Sequence, residues 1–169
     1  MRRTHTYVPR ALLGLLAGAV LSLGSAQLSA DTSCRKVRGA FNIIPVSGAA
    51  CPSPVGVCGE GTFSGGLKGD YFSVFLSATP TADTPTTEVL LFTAETTIAA
   101  AKSGRREGEL VFKEAGAFHT TGAGEFAELY SVVSGTGDFV GASGVLKSTG
   151  TFTAAAGGEG VYQGEICVP

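Results

Sequence analysis

A chain of 169 residues with 25 glycines, one methionine and no tryptophan has room for one domain with its own core. Its 12 basic and 14 acidic residues leave a formal net charge of −2, and its two short basic groups, CRKVR and KSGRR, read as solvated charge at a chain start and in a turn. That balance excludes nucleic acid and anionic membrane as partners, since both demand a broad basic face.

The first element is a targeting segment. Arg2, Arg3 and Arg10 flank the apolar run Ala11 to Ala26, which ends in small residues. A positive flank, an apolar stretch short for a membrane span and an A-x-A-like exit predict a secretory signal over residues 1–26, cleaved after Ala26. Position 31 is Asp, so a lipoprotein anchor is not expected there, nor any stable membrane anchor. Residues 27–169 are then expected to be a single secreted domain. Loss of three arginines leaves nine basic residues against fourteen acidic ones, a net charge of −5.

Strands are predicted near KVRGAFNII (36–44), GTFSGGLK (61–68), YFSVFLSAT (71–79), TEVLLFTAETTI (87–98), GELVFKEAG (108–116), GEFAELYSVV (124–133), GVLKSTGTFT (144–153) and GVYQGEICV (160–168). The best helix candidate, AETTIAAAK, carries Thr96, Thr97 and Ile98 at its centre, and those β-branched residues favour a strand. Alternation supports several strands. Phe72, Val74 and Leu76 share one face with Ser73 and Ser77 on the other; Leu110, Phe112 and Glu114 oppose Lys113; Leu146 and Phe152 oppose Lys147, Thr149 and Thr151. TPTADTPTT, 79–87, reads as a long exposed loop. Many short strands without crossover helices leave a sandwich or a closed barrel.

After the signal, four cysteines remain: Cys34, Cys51, Cys58 and Cys167. An even count in an exported chain implies disulfides, with three pairings open. Cys51–Cys58, closing CPSPVGVC, and Cys34–Cys167, tying the domain's start to its last strand, are the favoured set. No metal is expected: the spacing is not CxxC, His119 is the one histidine past the signal, and no calcium loop appears.

SGTGDFVGASG, 134–144, poses the sharpest choice. A dinucleotide loop needs a helix after it, because phosphate sits on the helix's N-terminal amides. The stretch SGVLKSTGTFT on its C-terminal side instead alternates with period two. The glycines at 135, 137, 141 and 144 are therefore read as a bend between adjacent strands with Phe139 as its buried anchor, and no cofactor is expected. A weak echo, G-x-G-x-aromatic, recurs as GEGTF, GAGEF, GTGDF and GEGVY at irregular spacing.

VVSGTGDFVGASGVLKSTGTF resembles the GGTGxFxGAxG pattern of small exported bacterial β-proteins and is similar to the central motif of the allene oxide cyclase and dirigent-like barrels. The likeness covers roughly 108–168. It implies an all-β, eight-stranded antiparallel closed barrel (a β-sandwich being the alternative), an apolar lumen and, among the enzymes, a homo-oligomer. It carries no catalytic residue onto this chain.

Glu114 is the candidate acid, because it continues the face of Leu110 and Phe112 and would point into the lumen, where burial raises a carboxyl's pKa. Against this, a strand bend at AGAF would leave it at a wet rim. Phe72, Val74, Leu76, Leu110, Phe112 and Glu114 are the expected ligand-binding set. His119 reads as an exposed loop residue with no acid evidently placed to orient it, and Glu125 and Glu128 as solvated strand ends. Three functions fit: a secreted barrel holding a small hydrophobic ligand; a cofactor-free isomerase or cyclase of the allene oxide cyclase type; or a structural or inhibitory exported protein acting through a loop. A packed lumen favours the third, a cavity with one inward acid the second, and a purely apolar cavity the first.

Overall fold

The computed structural model describes residues 32–81 and 88–169. The signal-peptide reading of residues 1–26 and most of the TPTADTPTT loop lie outside the described residues. The fold is a closed antiparallel barrel of eight strands, each beside its neighbour in sequence. They are β1 (Ser33–Val46), β2 (Cys58–Gly65), β3 (Gly69–Pro80), β4 (Val89–Ser103), β5 (Arg106–His119), β6 (Glu125–Gly135), β7 (Ser143–Thr153) and β8 (Gly157–Val168). β8 returns to β1 over eleven residue pairs, from Ser33↔Val168 to Ile43↔Gly158, and this closure decides for the barrel over the sandwich.

Each of the eight predicted strands is present, and AETTIAAAK lies within β4. The other regular elements among the described residues are two three-residue 3-10 turns, Gly48–Ala50 and Gly137–Phe139. No helix among the described residues is long and apolar enough to cross a membrane. The GTGDFVGASG stretch is the β6–β7 connection. Gly137 and Gly141 take φ of +58° and +73° there, where a side chain would be strained, and Phe139 is turned back into the core with no exposure.

Both favoured disulfides are formed. Cys34 and Cys167 stand directly opposite each other in the β1–β8 ladder, and Cys51 joins Cys58 across the β1–β2 connection. Closing a loop of 133 residues, the first bridge stabilises by about 5 kcal/mol in the chain-entropy account.

Glycines and aromatics are also matched across the ladder, Gly61 and Gly160 of the echo among them. Five rings in the lumen lie over a glycine directly across the ladder: Phe41 over Gly160, Tyr162 over Gly39, Tyr71 over Gly61, Phe92 over Gly116 and Phe126 over Gly150. A methyl group added at any of these glycines would run into the ring. The missing side chain is the space the aromatic fills.

The two ends differ. At the end bearing the disulfide Cys34–Cys167, Leu67, Ile98, Leu110, Phe139 and Leu146 are fully buried in one cluster. Tyr162 fastens this end: its hydroxyl accepts from the Leu67 N–H at 2.8 Å and faces the carbonyls of Leu67 and Ser64 at 2.8 and 2.9 Å. Midway along the axis the rings of Phe41, Phe63, Tyr71, Tyr130 and Phe112 stack edge or face on one another, with centroids 5.1–6.3 Å apart. Beyond that layer the packing stops.

Candidate functional site

The other end holds a cavity of about 440 Å³. Its walls are largely aromatic and aliphatic, with Phe41, Phe75, Phe92, Phe118, Phe126 and Phe152 foremost, and its two carboxyls are those of Glu114 and Glu128. A volume of that size, with few polar groups among apolar walls, falls in the ordinary range for small-molecule sites. The mouth is framed by the β1–β2 connection, by the β5–β6 turn at Thr120–Gly124 and by the β7–β8 turn at Thr153–Ala154. The disulfide Cys51–Cys58 fixes the first of these, and Ser53 Oγ pins the same segment by donating to the Phe75 carbonyl at 2.6 Å.

β3 presents the opposite face from the one expected. Tyr71, Ser73 and Phe75 point inward, while Phe72 and Val74 are half-buried and Leu76 is 40% exposed; none of these last three lines the cavity. One physical fact hides the inner face, and a second changes it partway along the strand. The outer wall is itself rich in apolar residues, Leu129, Val145 and Val161 being more than half exposed, so an apolar face is not automatically the inner one. A bulge between Phe75 and Ser77 then changes the parity of the strand, so that Phe75 and Ala78 both reach the cavity.

β5 has the expected orientation. Leu110, Phe112 and Glu114 all point inward; the first two belong to the packed core below the cavity, and Glu114 alone of the three lines it. The strand does not bend away at AGAF: it runs on to His119, and Glu114 is 5% exposed.

Glu114 has a companion that sequence reasoning left at a solvated strand end. Glu128 on β6 is 9% exposed and lines the same cavity. In the ladder Glu114 faces Tyr130, and Glu128 faces Gly116, so the two carboxyls are diagonal neighbours on the inner face. The signal was in the alternation of EFAELYSVV: Glu128 shares its parity with Phe126, Tyr130 and Val132, all buried, whereas Glu125 has the other parity.

The two acids are held differently. Glu128 Oε1 accepts two short hydrogen bonds, from the Tyr130 hydroxyl at 2.6 Å and from Ser148 Oγ at 2.7 Å. Glu114 Oε1 is buried and has no partner, and neither has the neighbouring Thr96 Oγ1. Burial chiefly, and then the negative charge of Glu128, push the Glu114 carboxyl well above its ordinary range; the Thr96 hydroxyl, near but out of hydrogen-bonding geometry, offsets little of this. Burial also raises Glu128, against the two hydroxyls that favour its charged form. The phenols of Tyr71 and Tyr130 are pushed up by burial and then by both acids, so they stay protonated. Among the described residues, no Lys, Arg or His lines the cavity.

His119 is not the isolated residue its sequence context implied. It closes β5 at the rim, its Nε2 3.1 Å from Glu88 Oε2 and its Nδ1 3.3 Å from Glu125 Oε2. Hydrogen bonds donated by the ring to these two carboxylates raise its pKa. The cluster is exposed and joins the starts of β4 and β6 to the end of β5. Among the described residues one group of three metal-ligand side chains occurs, Cys34, Glu165 and Cys167, and both of its sulfurs are committed to the disulfide.

No family model, no curated protein and no solved structure matches the chain.

Proposed function

We propose that this protein is an exported carrier or receptor module that takes a small, largely apolar molecule into the open end of its barrel. The observation that carries this reading is the asymmetry of the lumen: one half is packed to completion, and the other is left as a walled space of about 440 Å³ with six phenylalanines around it. A cavity of this kind is a cost to the fold unless something occupies it, because its lining forfeits van der Waals contacts. Export is supported by the signal-like N-terminus and by two disulfides, which persist in oxidising compartments. Titration with the neutral apolar dye Nile red tests it. One saturable site is expected, weakened by Ala78→Phe, which fills the mouth; the absence of saturable binding would overturn the reading.

A second reading, cofactor-free isomerisation of the bound molecule, as the resemblance to allene oxide cyclases implies, is favoured by one observation. Glu114, one of whose carboxyl oxygens is buried without a partner, lines the cavity. Formation of a product equal in mass to its substrate, lost in Glu114→Gln while binding persists, would establish it. The third expectation, action through a loop on a filled barrel, loses its premise, since the lumen is hollow at one end.

A further inference from the structure

We propose that the polar head group taken by this cavity is a protonated amine, seated against Glu114 and Glu128 with its apolar body toward the mouth. The inference rests on the ligand-binding reading above and deepens it.

Three observations converge. First, two carboxyl groups share the floor of a cavity whose lining contains no cation, so nothing in the described protein neutralises them. Second, their hydrogen bonding is lopsided. Glu128 already receives the hydroxyls of Tyr130 and Ser148, while Glu114 Oε1, on a residue only 5% exposed, is unsatisfied. A buried polar atom without a partner is costly, and a cationic donor is the partner that relieves both the missing bond and the like-charge repulsion. Third, Phe41, Tyr71, Phe126 and Tyr130 also line the cavity, and ring faces attract an alkylammonium once water is excluded. A ligand carboxylate would bring a third acid to the same floor, so it is disfavoured.

The groups that face Glu114 define how pH acts. They are Glu128 and Tyr130 on β6, Tyr71 on β3 and Thr96 on β4; burial raises both carboxyls above their ordinary range, and the two phenols stay protonated. An ammonium ligand therefore binds as R–NH₃⁺ while Glu114 gives up its proton to solvent: one cation is taken in, one proton is released, and the charge balances. Binding of an amine strengthens as pH rises through the carboxyl's elevated range. A neutral ligand whose carbonyl or hydroxyl accepts from protonated Glu114 would show the reverse.

The experiment compares three probes with one apolar body, 4-phenylbutylamine, 4-phenylbutanol and 4-phenylbutyrate, by isothermal titration calorimetry on the oxidised protein. The amine is expected to bind at least tenfold more tightly than the alcohol, and the carboxylate most weakly. Amine binding near neutral pH should release up to one proton, read from titrations in buffers of different ionisation enthalpy. Glu114→Gln, which keeps the side chain's shape, should remove most of the amine's advantage and leave the alcohol within about threefold. Glu128→Gln and the pH profile of the unmodified protein supply the same test if that variant does not fold. Equal affinities for amine and alcohol, or amine binding that weakens as pH rises, would overturn the head-group assignment and leave the cavity's ligand-binding role intact. Failure of all three probes to bind would remove both.

Discussion

At the end of the barrel that carries Cys34–Cys167, Leu67, Leu110 and Phe139 fill the lumen to zero exposure; at the other end, Phe75, Phe92 and Phe118 line a hollow. Both ends are built from the same eight strands and the same kinds of residue. What separates them is how the connections return. The β2–β3 and β6–β7 connections send Leu67 and Phe139 into the core, whereas the described connections at the mouth contribute mostly small or polar residues, Ser47, Gly56, Thr120, Gly122 and Ala154 beside the single aliphatic Val57. Stability is therefore concentrated in one half, and the half with the two buried acids is the half with space.

The largest effect expected from breaking this contrast is at the sealed end. Replacing Cys34 and Cys167 by Ser should cost about 5 kcal/mol, measured by guanidinium unfolding, because the unfolded chain regains the freedom of a 133-residue loop. Phe139→Ala should rank next, at about 4 kcal/mol, from lost burial plus the cavity left behind. Phe92→Ala at the hollow end should cost roughly half as much, since part of that ring already faces open space. If the two phenylalanines cost the same, the division into a packed half and a hollow half is wrong.

A smaller and pH-dependent effect is expected on the cavity floor. Glu114 has a raised carboxyl pKa in the folded chain, so its penalty is absent below the ordinary glutamate range and accrues as pH rises above it, where the unfolded chain has lost the proton and the folded chain still holds it. Glu114→Gln should match the parent at acidic pH and become the more stable protein as pH rises, the gap widening by at most about 1.4 kcal/mol per pH unit. A gap independent of pH would mean that Glu114 is not the group that titrates.

The smallest effect is at the rim. His119 is charged more readily between Glu88 and Glu125, so its contribution is present below the pKa of a free histidine and fades as pH passes through the raised folded value. His119→Gln should leave the unfolding midpoint nearly unchanged, and the ring should titrate above a free histidine by proton NMR. A lower value would dissolve the rim cluster.

Strand count and strand positions were legible because alternation is a local signal with few physical readings; cysteine number implied disulfides but left three pairings, which the β1–β8 register and the β1–β2 connection decide. The inward turn of Glu114 was legible for the same reason, through Leu110 and Phe112 on its strand. The inner face of β3 was not, because apolar residues stand on both of its faces and the apolar outer wall removes the contrast between them; the bulge after Phe75 then shifts the parity of the rest of the strand. Glu128 was half-legible: its own strand's alternation points it inward, but its diagonal approach to Glu114 depends on the β5–β6 register. That Phe139 packs inward while the mouth stays empty depends on how whole connections fold back, which no window of sequence reports.

The ladder from Ser33↔Val168 to Ile43↔Gly158 does more than complete a ring. A sheet with no first or last strand presents no row of free amides and carbonyls on which a second molecule can zip itself. All of that protection is vested in one join between the two segments farthest apart along the chain. Parting it would create two sticky margins at once, so a reduced sample held at high concentration should first betray itself by turbidity and fibre formation, well before its interior is emptied.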